Sequence, residues 1–305
     1  MTRRQRILLT GATGFIGRHV LARLRQTHDE VIAVGRRPLD VPPERGAFLA
    51  CDLTSLESVA ALETVQPDVV VHLAALMPRA SPPQESLEEN LTVNVLGLAN
   101  LVRCCRQASY FIYVSSVDVY GPPEYLPMDE LHPTQPATYY GVTKLAAEKI
   151  VQVHCREACT RLLILRPSQT YGPGEPPVKL IPQTIARVVA GQAPVLYGDG
   201  SDCRDYIHVA DVAESIARAV TARPAGTLNL VSGTSRSIAE VVETVLQVSG
   251  LGLAPVRRPR EKPCLQLAYS TARLRQALGD WAPRDFADGI REQYEHHLAS
   301  RQGSG

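Results

Sequence analysis

Tyr140 and Lys144 are the residues whose types and spacing point most directly to proton-transfer chemistry. They fall in a stretch, 139–154, that predicts a helix, and positions four apart share one helix face. A phenol normally loses its proton near pH ~10. A neighbouring ammonium stabilises the phenolate and brings the pKa of Tyr140 toward neutrality, so that the pair could act as acid and base. A solvated helix face without catalysis is the alternative.

Ser116 is the third candidate catalytic residue. Ser115 and Ser116 follow an apolar run, 111–114, that predicts a buried strand. Residues at the carboxyl ends of parallel strands line the crevice of open α/β sheets. A hydroxyl at that position could hydrogen-bond a reacting oxygen and share its proton with Tyr140, whereas a cap at the strand end is the structural alternative.

Three glycines, Gly11, Gly14 and Gly17, stand between a predicted strand, 7–10, and a predicted helix, 15–25. Glycines in this position let the backbone approach a pyrophosphate, and the helix N-terminus supplies free N–H groups. The pattern therefore predicts a dinucleotide site. Successive glycines are three residues apart here, whereas those of the ordinary Rossmann fingerprint are two and then three residues apart. A turn without a ligand is the alternative.

Arg36 and Arg37 follow the second predicted strand, where NAD-binding proteins usually carry an acidic residue. A guanidinium pairs with the 2′-phosphate of NADP, which a carboxylate would repel. We therefore predict NADP as the cofactor, with Arg36 preferred over Arg37 and NAD as the alternative. Asp52 and Leu53, after the third strand, are expected beside the adenine.

The elements that must position these residues alternate between strand and helix through the first half of the chain. This alternation predicts an α/β fold with a doubly wound parallel sheet. After Arg166 the sequence becomes rich in proline and glycine, which predicts a smaller lobe with long loops. We assign residues 1–166 and about 205–232 to a dinucleotide-binding domain, and residues 167–204 and 233–305 to a substrate-binding lobe.

Composition excludes several classes of protein. The chain has 305 residues, and 32 Lys and Arg against 31 Asp and Glu leave a net charge of +1. Near-neutrality argues against a dedicated binder of nucleic acid or membrane surfaces. Seven cysteines occur without the spacing of a zinc site, so we expect no metal, reduced thiols and a cytoplasmic location.

Taken together, these motifs resemble the extended short-chain dehydrogenase/reductase family, in its nucleotide-sugar epimerase/dehydratase branch. The resemblance spans nearly the whole chain. Its motifs are the glycine turn, His72-Leu-Ala-Ala75, Asn94-Val-x-Gly97, Ser115-Ser116…Val119-Tyr-Gly121, Tyr140-x-x-x-Lys144, Arg166-Pro-x-x-x-Tyr-Gly-Pro-Gly174 and Arg204-Asp-Tyr-Ile-His-Val-x-Asp211-Val.

The resemblance implies a catalytic triad of Ser116, Tyr140 and Lys144, with Lys144 also holding the nicotinamide ribose. It implies that Arg204 binds the diphosphate of the substrate, although a structural Arg204–Asp pair is the alternative. Ser116, Gln169 and Arg204 are the predicted substrate contacts. The predicted cofactor contacts are Gly11, Thr13, Gly14, Phe15, Ile16, Gly17, Arg36, Arg37, Asp52, Leu53, Leu73, Ala74, Ala75, Tyr140 and Lys144.

Two departures from the family pattern bear on the reaction. Gln169 stands where many members carry Asn. Val117 and Asp118 follow Ser116, whereas dehydratase members resemble this segment but carry Thr followed by an acidic or small residue and then Glu. Dehydration is therefore less expected than simple hydride chemistry. We favour an NADPH-dependent 4-ketoreductase acting on a nucleotide-activated hexose. The first alternative is a 4-epimerase with tightly bound NAD. Less favoured alternatives are a 4,6-dehydratase and a non-catalytic NADP-binding protein.

The resemblance also implies a homodimer built on a four-helix bundle. The segments concerned are 87–105 and 139–154, where Leu91, Leu98 and Val102 belong to that interface or face the sheet. Substrate discrimination is expected in the loops 77–83 and 174–180, while the base and the sugar are left open.

Overall fold

Twelve strands and ten α-helices make up the described part of a computed structural model, which covers residues 5–28, 30–37, 47–77, 86–261, 263–279 and 282–302. The strands are β1 (Arg6–Thr10), β2 (Glu30–Gly35), β3 (Phe48–Ala50), β4 (Val69–His72), β5 (Tyr110–Val114), β6 (Arg161–Pro167), β7 (Gln169–Tyr171), β8 (Val195–Tyr197), β9 (Cys203–His208), β10 (Gly226–Leu230), β11 (Ser235–Ser237) and β12 (Val256–Arg258). The helices are α1 (Phe15–Thr27), α2 (Leu56–Ala60), α3 (Leu87–Asn90), α4 (Gly97–Cys104), α5 (Tyr139–Glu157), α6 (Leu180–Val189), α7 (Val209–Ala222), α8 (Ile238–Ser249), α9 (Ala272–Leu278) and α10 (Phe286–Gln302). Shorter helical stretches are the 3-10 turns Ala61–Thr64 and Val117–Val119 and the π-helical turn Leu91–Leu96.

The central sheet has seven parallel strands in the order β10-β6-β5-β4-β1-β2-β3. Successive side chains of a strand point to opposite faces. Ile7 and Leu9 accordingly enter one core while Leu8 enters the other, which is why these strands are continuous apolar runs. The predicted doubly wound parallel sheet is confirmed.

Helices cover both faces of this sheet. Helices α1, α7 and α9 contribute to the core on one face, and helices α2, α4 and α5 contribute to the core on the other. Ser237 and Glu240 form a capping box at the start of α8, with the side chain of each accepting a backbone N–H of the other. No described helix is both long enough and apolar enough to cross a lipid bilayer.

A second, smaller core lies around α6, α8 and α10, next to a three-stranded sheet in the order β11-β9-β7. Residues 203–208 therefore form a strand of this small sheet, while α7 and β10 pack with the large one. Helix α9, within the predicted lobe 233–305, also packs on the large core through Leu274. We keep the division into two lobes as a proposal, with these assignments.

The segment 87–105 is not the single continuous helix expected for one member of a four-helix bundle. It is built as α3, a π-helical turn and α4 in succession. Leu98 and Val102 are buried in the core beneath the sheet, so they face the sheet, whereas Leu91 is 40% exposed.

Candidate active site

The glycine turn lies where β1 passes into α1. A Cβ atom on Gly17 would lie 2.0 Å from the carbonyl oxygen of Gly11. The first turn of α1 can therefore pack against the loop at Gly11 only if residue 17 is glycine. Gly14 begins α1 without a side-chain cap, and the first turn carries no acidic residue. The first N–H groups of a helix have no acceptor within the helix. This turn is therefore suited to bind an anionic pyrophosphate.

A cleft of about 190 Å³ opens beside this turn. Its walls are Thr10, Gly11, Thr13, Gly14, Val34, Gly35, Arg36, Cys51, Asp52, Leu53, Thr54, Leu73, Ala74, Ala75 and Val93. The structure thus brings together nine of the predicted cofactor contacts. Phe15, Ile16 and Gly17 form the adjoining first turn of α1, and the exposed Arg37 is not part of this wall. The donors and the cleft together fit a dinucleotide.

Arg36 and Asp52 both line this cleft. The backbone N–H and the hydroxyl of Thr54 both donate to Asp52 Oδ1, at 2.9 and 2.8 Å. These hydrogen bonds, with a smaller contribution from Arg36, hold the pKa of Asp52 below its usual range. The cleft therefore presents one guanidinium and one ionised carboxylate.

The three predicted catalytic side chains are all buried. Ser116 is 8% exposed, Tyr140 5% and Lys144 2%. Lys144 Nζ donates to the carbonyl oxygen of Val114 at 2.6 Å and lies 4.5 Å from the ring centroid of Tyr113. Burial lowers the pKa of Lys144 to about 7, and the carboxylate of Glu148 opposes this shift.

Helix α5 and the loop after β5 touch at their ends. A Cβ atom on Gly141 would lie 2.6 Å from the carbonyl oxygen of Asp118, so this contact requires glycine directly after Tyr140. The hydroxyl of Ser116 accepts the backbone N–H of Asp118 at 3.1 Å and caps the 3-10 turn that follows. The capping alternative for Ser116 is therefore realised in this structure, beside the N-terminal turn of the helix that carries Tyr140.

A second cleft, of about 220 Å³, contains two of the predicted substrate contacts, Gln169 and Arg204. The other residues of its wall are Val117, Asp118, Gly121, Pro122, Ala137, Thr138, Ser168, Asp205, Leu265, Leu267 and Tyr269. The wall includes Val117, which directly follows Ser116, and Thr138, which lies two residues before Tyr140. The predicted specificity loop 174–180 is described, but residues 78–83 of the loop 77–83 lie outside the described residues.

The carboxylate of Asp205 is fully engaged in hydrogen bonds from residues other than Arg204. It accepts the hydroxyls of Ser168 and Ser232 and the backbone N–H groups of Ser232 and Gly233. Among the described residues, none forms an ion pair with Arg204. The alternative of a structural Arg204–Asp pair is thus not realised here, and the guanidinium of Arg204 is available to an anionic group.

Comparison with known proteins places the chain in a family. A model of the NAD dependent epimerase/dehydratase family matches residues 7–230. The chain belongs to that family. The predicted resemblance is confirmed, as is the nucleotide-sugar branch of extended short-chain dehydrogenases/reductases to which its relatives belong.

Relatives within the family differ in the reaction for which they are named. The UDP-glucose 4-epimerase of Azospirillum brasilense is 32% identical, over 93% of this chain and 89% of its own. A GDP-6-deoxy-D-mannose reductase of Pseudomonas aeruginosa is 31% identical, over 92% of each chain. The solved structure of a Thermus thermophilus UDP-glucose 4-epimerase with NAD has a TM-score of 0.83 and 29% identity, covering 97% of this chain and 100% of that one.

In this member of the epimerase/dehydratase family, the sequence did not predict a buried polar network next to the catalytic candidates. Glu148 accepts two hydrogen bonds from Arg166, at 2.9 and 2.7 Å, and one from Ser115 at 2.6 Å. The hydroxyl of Ser115 thus donates to Glu148, whereas that of Ser116 accepts the backbone N–H of Asp118. The only signal in the sequence was that Glu148 follows Lys144 by four residues.

Asn94 is a second residue whose role the sequence did not reveal, although it lies in one of the quoted motifs. Its amide donates to the carbonyl oxygen of Leu76 and to the hydroxyl of Thr143, and its oxygen accepts the N–H of Leu76. Asn94 therefore connects the cofactor cleft, through the segment after β4, to the helix that carries Lys144.

Proposed function

We propose that this family member transfers a hydride at C4 of a nucleotide-activated hexose, acting as an NADPH-dependent 4-ketoreductase. The observation that carries the proposal is the position of α5 and the loop after β5. Their ends touch at Gly141 and Asp118, next to a cleft with Arg204, while Asn94 connects α5 to the dinucleotide cleft. Tyr140 and Ser116 would thus act where the two ligands meet.

In this mechanism the bound nicotinamide supplies the hydride to the carbonyl carbon. Tyr140 donates its phenolic proton to the carbonyl oxygen, and Ser116 hydrogen-bonds that oxygen. Lys144, when protonated, stabilises the resulting phenolate. Arg204 binds the diphosphate with a planar fork of N–H donors. The burial of Ser116, Tyr140 and Lys144 excludes water and keeps their electrostatic interactions strong.

The preference for NADP over NAD rests on Arg36, which lines the end of the dinucleotide cleft and could pair with a 2′-phosphate. A net reduction consumes a reduced cofactor that must exchange, which fits NADPH. The epimerase is the second candidate, because epimerases are among the relatives and the same three residues would serve it. Asp52 in the same cleft is compatible with either cofactor.

Substitution of the phenol tests the proposed chemistry. We expect Tyr140→Phe to lower kcat by about 10²-fold or more, because a positioned acid contributes roughly 10²–10⁴-fold. Tyr139→Phe is the matched control, since this neighbouring tyrosine is 49% exposed, and it should keep its activity. Turnover would be measured on a panel of 4-keto nucleotide sugars and nucleotide sugars. Unchanged turnover of Tyr140→Phe would refute the acid role.

Mass spectrometry of the cofactor that copurifies with the protein separates the two candidates. Retained NAD⁺ favours the epimerase, whereas an empty site that takes up NADPH favours the reductase. We also propose a homodimer through the segment 87–105 and α5, whose exposed apolar side chains include Leu96, Val142 and Val153. The cytoplasmic location expected from cysteine usage stays a prediction.

A further inference from the structure

Two cysteines, Cys203 and Cys264, lie on neighbouring segments at the edge of the substrate cleft. Cys203 opens β9, and the segment 264–267 runs parallel to it. The backbone N–H of Cys203 donates to the carbonyl oxygen of Leu265 at 2.9 Å, and that of Leu267 donates to the carbonyl oxygen of Cys203 at 3.1 Å. The two segments are therefore already held together by their backbones.

The side chains of the two cysteines lie on the same side of this pairing. Cys203 is paired with Gln266. Residues two apart on an extended segment point the same way, so Cys264 shares the side of Gln266. The two thiols are thus diagonal neighbours.

Both sulfur atoms contact Ser201. The thiol of Cys203 donates to the carbonyl oxygen of Ser201 at 3.4 Å, and the sulfur of Cys264 lies 3.4 Å from the Ser201 hydroxyl. The amide of Gln266 donates to Cys264 Sγ at 3.1 Å and to the Ser201 carbonyl oxygen at 2.8 Å. The Ser201 hydroxyl and the Gln266 amide therefore both contact the sulfur of Cys264.

The two thiols differ in exposure and in acidity. Cys264 is exposed, and the hydrogen bonds from Ser201 and Gln266, with a smaller contribution from Arg260, lower its pKa. Cys203 is half-buried, and burial raises its pKa. An exposed thiol with thiolate character beside a protonated thiol is the arrangement of an attacking and a resolving cysteine.

We propose that Cys264 and Cys203 form a peroxide-sensitive thiol pair that closes reversibly to a disulfide. The thiolate of Cys264 attacks hydrogen peroxide, so that an S–O bond forms, the O–O bond breaks and one water leaves after protonation. The sulfur of Cys203 then attacks that of Cys264, so that the S–S bond forms, the S–O bond breaks and a second water leaves. The two thiols lose two electrons, and the peroxide is reduced to two waters.

This disulfide would act on the wall of the substrate cleft. Arg204 directly follows Cys203, and Leu265 directly follows Cys264, and both line that cleft. In the reduced protein, the backbone hydrogen bonds at Cys203 and the contacts of Asp202 with Leu265 and Arg260 hold the two segments. A covalent bond between the thiols would fix the segment 264–267 against β9.

Peptide mass spectrometry of the full-length protein tests the pair. The reduced protein is treated with equimolar hydrogen peroxide, alkylated with iodoacetamide and digested. We expect a peptide pair joined through Cys203 and Cys264 that dithiothreitol separates. In Cys203→Ser, dimedone should instead label Cys264 as a sulfenic acid, and Cys264→Ser should give neither product. Cys159→Ser is the matched control for the other exposed cysteine and should behave as the unchanged protein does.

Two further measurements make the outcome decisive. Before oxidation, Cys264 should react with iodoacetamide about fivefold or more faster than Cys159 at pH 7, because the thiolate is the reactive form. After oxidation, amide exchange at Cys203 and Leu267 should slow. Equal alkylation rates, Cys264 oxidised to the sulfinic acid while Cys203 stays reduced, or a disulfide that leaves amide exchange unchanged would each overturn the proposal.

Discussion

Arg36 and Arg37 are adjacent in the chain but differ in where they lie, so they form a matched pair at the scale of the single residue. Arg36 lines the dinucleotide cleft, and Arg37 is exposed outside its wall. We expect Arg36→Ala to raise the Kd for NADPH about tenfold or more, because a hydrogen bond to a charged group contributes roughly 1.5–3 kcal/mol.

The Kd for NADH should change less than about threefold in Arg36→Ala, since NADH lacks the 2′-phosphate. Arg37→Ala should leave both constants within the same limit. Isothermal titration of the two variants with both cofactors measures all four values. If the unaltered protein binds NADH as tightly as NADPH, the assignment of NADP is wrong.

Lys144 gives a prediction for stability against pH. Its pKa is about 7 in the folded protein because it is buried, against 10.5 as its ordinary value. Between these values the unfolded chain binds a proton that the folded protein lacks, so stability rises with pH across this window. Below pH ~7 both states hold the proton, and the cost of burying the charge is present in full.

Lys144→Met removes this charge. Its free energy of unfolding should exceed that of the unaltered protein near pH 7, and the difference should shrink by about 2 kcal/mol toward pH ~9. Lys149→Met, at an exposed position of the same helix, is the matched control for the substitution. Urea denaturation at each pH measures these differences, and a constant difference for Lys144→Met would contradict the lowered pKa.

At the scale of the element, the strands and most helices could be predicted because their signals are local. The predicted apolar strand 111–114 lies within β5, which is buried along its whole length, and the predicted helix 139–154 lies within α5. The π-helical turn at Leu91–Leu96 could not be predicted, because it accompanies the hydrogen bonds of Asn94 to a segment 18 residues away. The contact of Gly141 with Asp118 could not be predicted either, because it also joins residues that are far apart in the sequence.

Gly141 makes this contact between elements testable. Replacing glycine by alanine within a helix ordinarily stabilises the helix by up to ~1 kcal/mol. A Cβ atom at residue 141 would, however, lie 2.6 Å from the carbonyl oxygen of Asp118. We expect Gly141→Ala to destabilise the protein by about 1–3 kcal/mol, because the loop must move away. Displacement of Ser116 with that loop should also lower kcat.

Gly252→Ala is the matched control for this substitution. No atom lies within 4 Å of the position its Cβ would take. Its free energy of unfolding, measured by urea denaturation, should change by less than about 0.5 kcal/mol. A Gly141→Ala protein that is as stable and active as this control would show that α5 and the loop after β5 are not pressed together.

At the scale of the whole molecule, the substrate cleft is built from distant parts of the chain. Val117 and Asp118 follow β5 of the large sheet, Arg204 lies on β9 of the small sheet, and Tyr269 comes from the segment after β12. The sequence motifs pointed to Val117, Asp118 and Arg204 one by one, but nothing in the sequence pointed to Tyr269. Only the folded chain brings them to one wall, which is why Leu265, Leu267 and Tyr269 were not predicted.

The segment 87–105 and helix α5 present exposed apolar side chains that a second copy of the chain would cover. Leu96, directly before α4, is 56% exposed and Val153 of α5 is 45% exposed, and a groove between α4 and α5 is lined by Val102, Ile150 and Val153 among others. We expect the protein to sediment at twice the 33.2 kDa of one chain at micromolar concentration.

Val153→Asp should shift this species to the monomer, because a dimer would bury an unpaired carboxylate on each helix. Leu251→Asp is the matched control, as Leu251 is 44% exposed but lies beyond the end of α8, and it should leave the dimer intact. Sedimentation velocity distinguishes the species. A monomer in the unaltered protein, or a dimer that persists in Val153→Asp, would move the interface away from these helices. Because Val153 is on the outer face of the helix that carries Tyr140 and Lys144, a monomer that keeps its turnover would show that the catalytic groups are positioned within one chain.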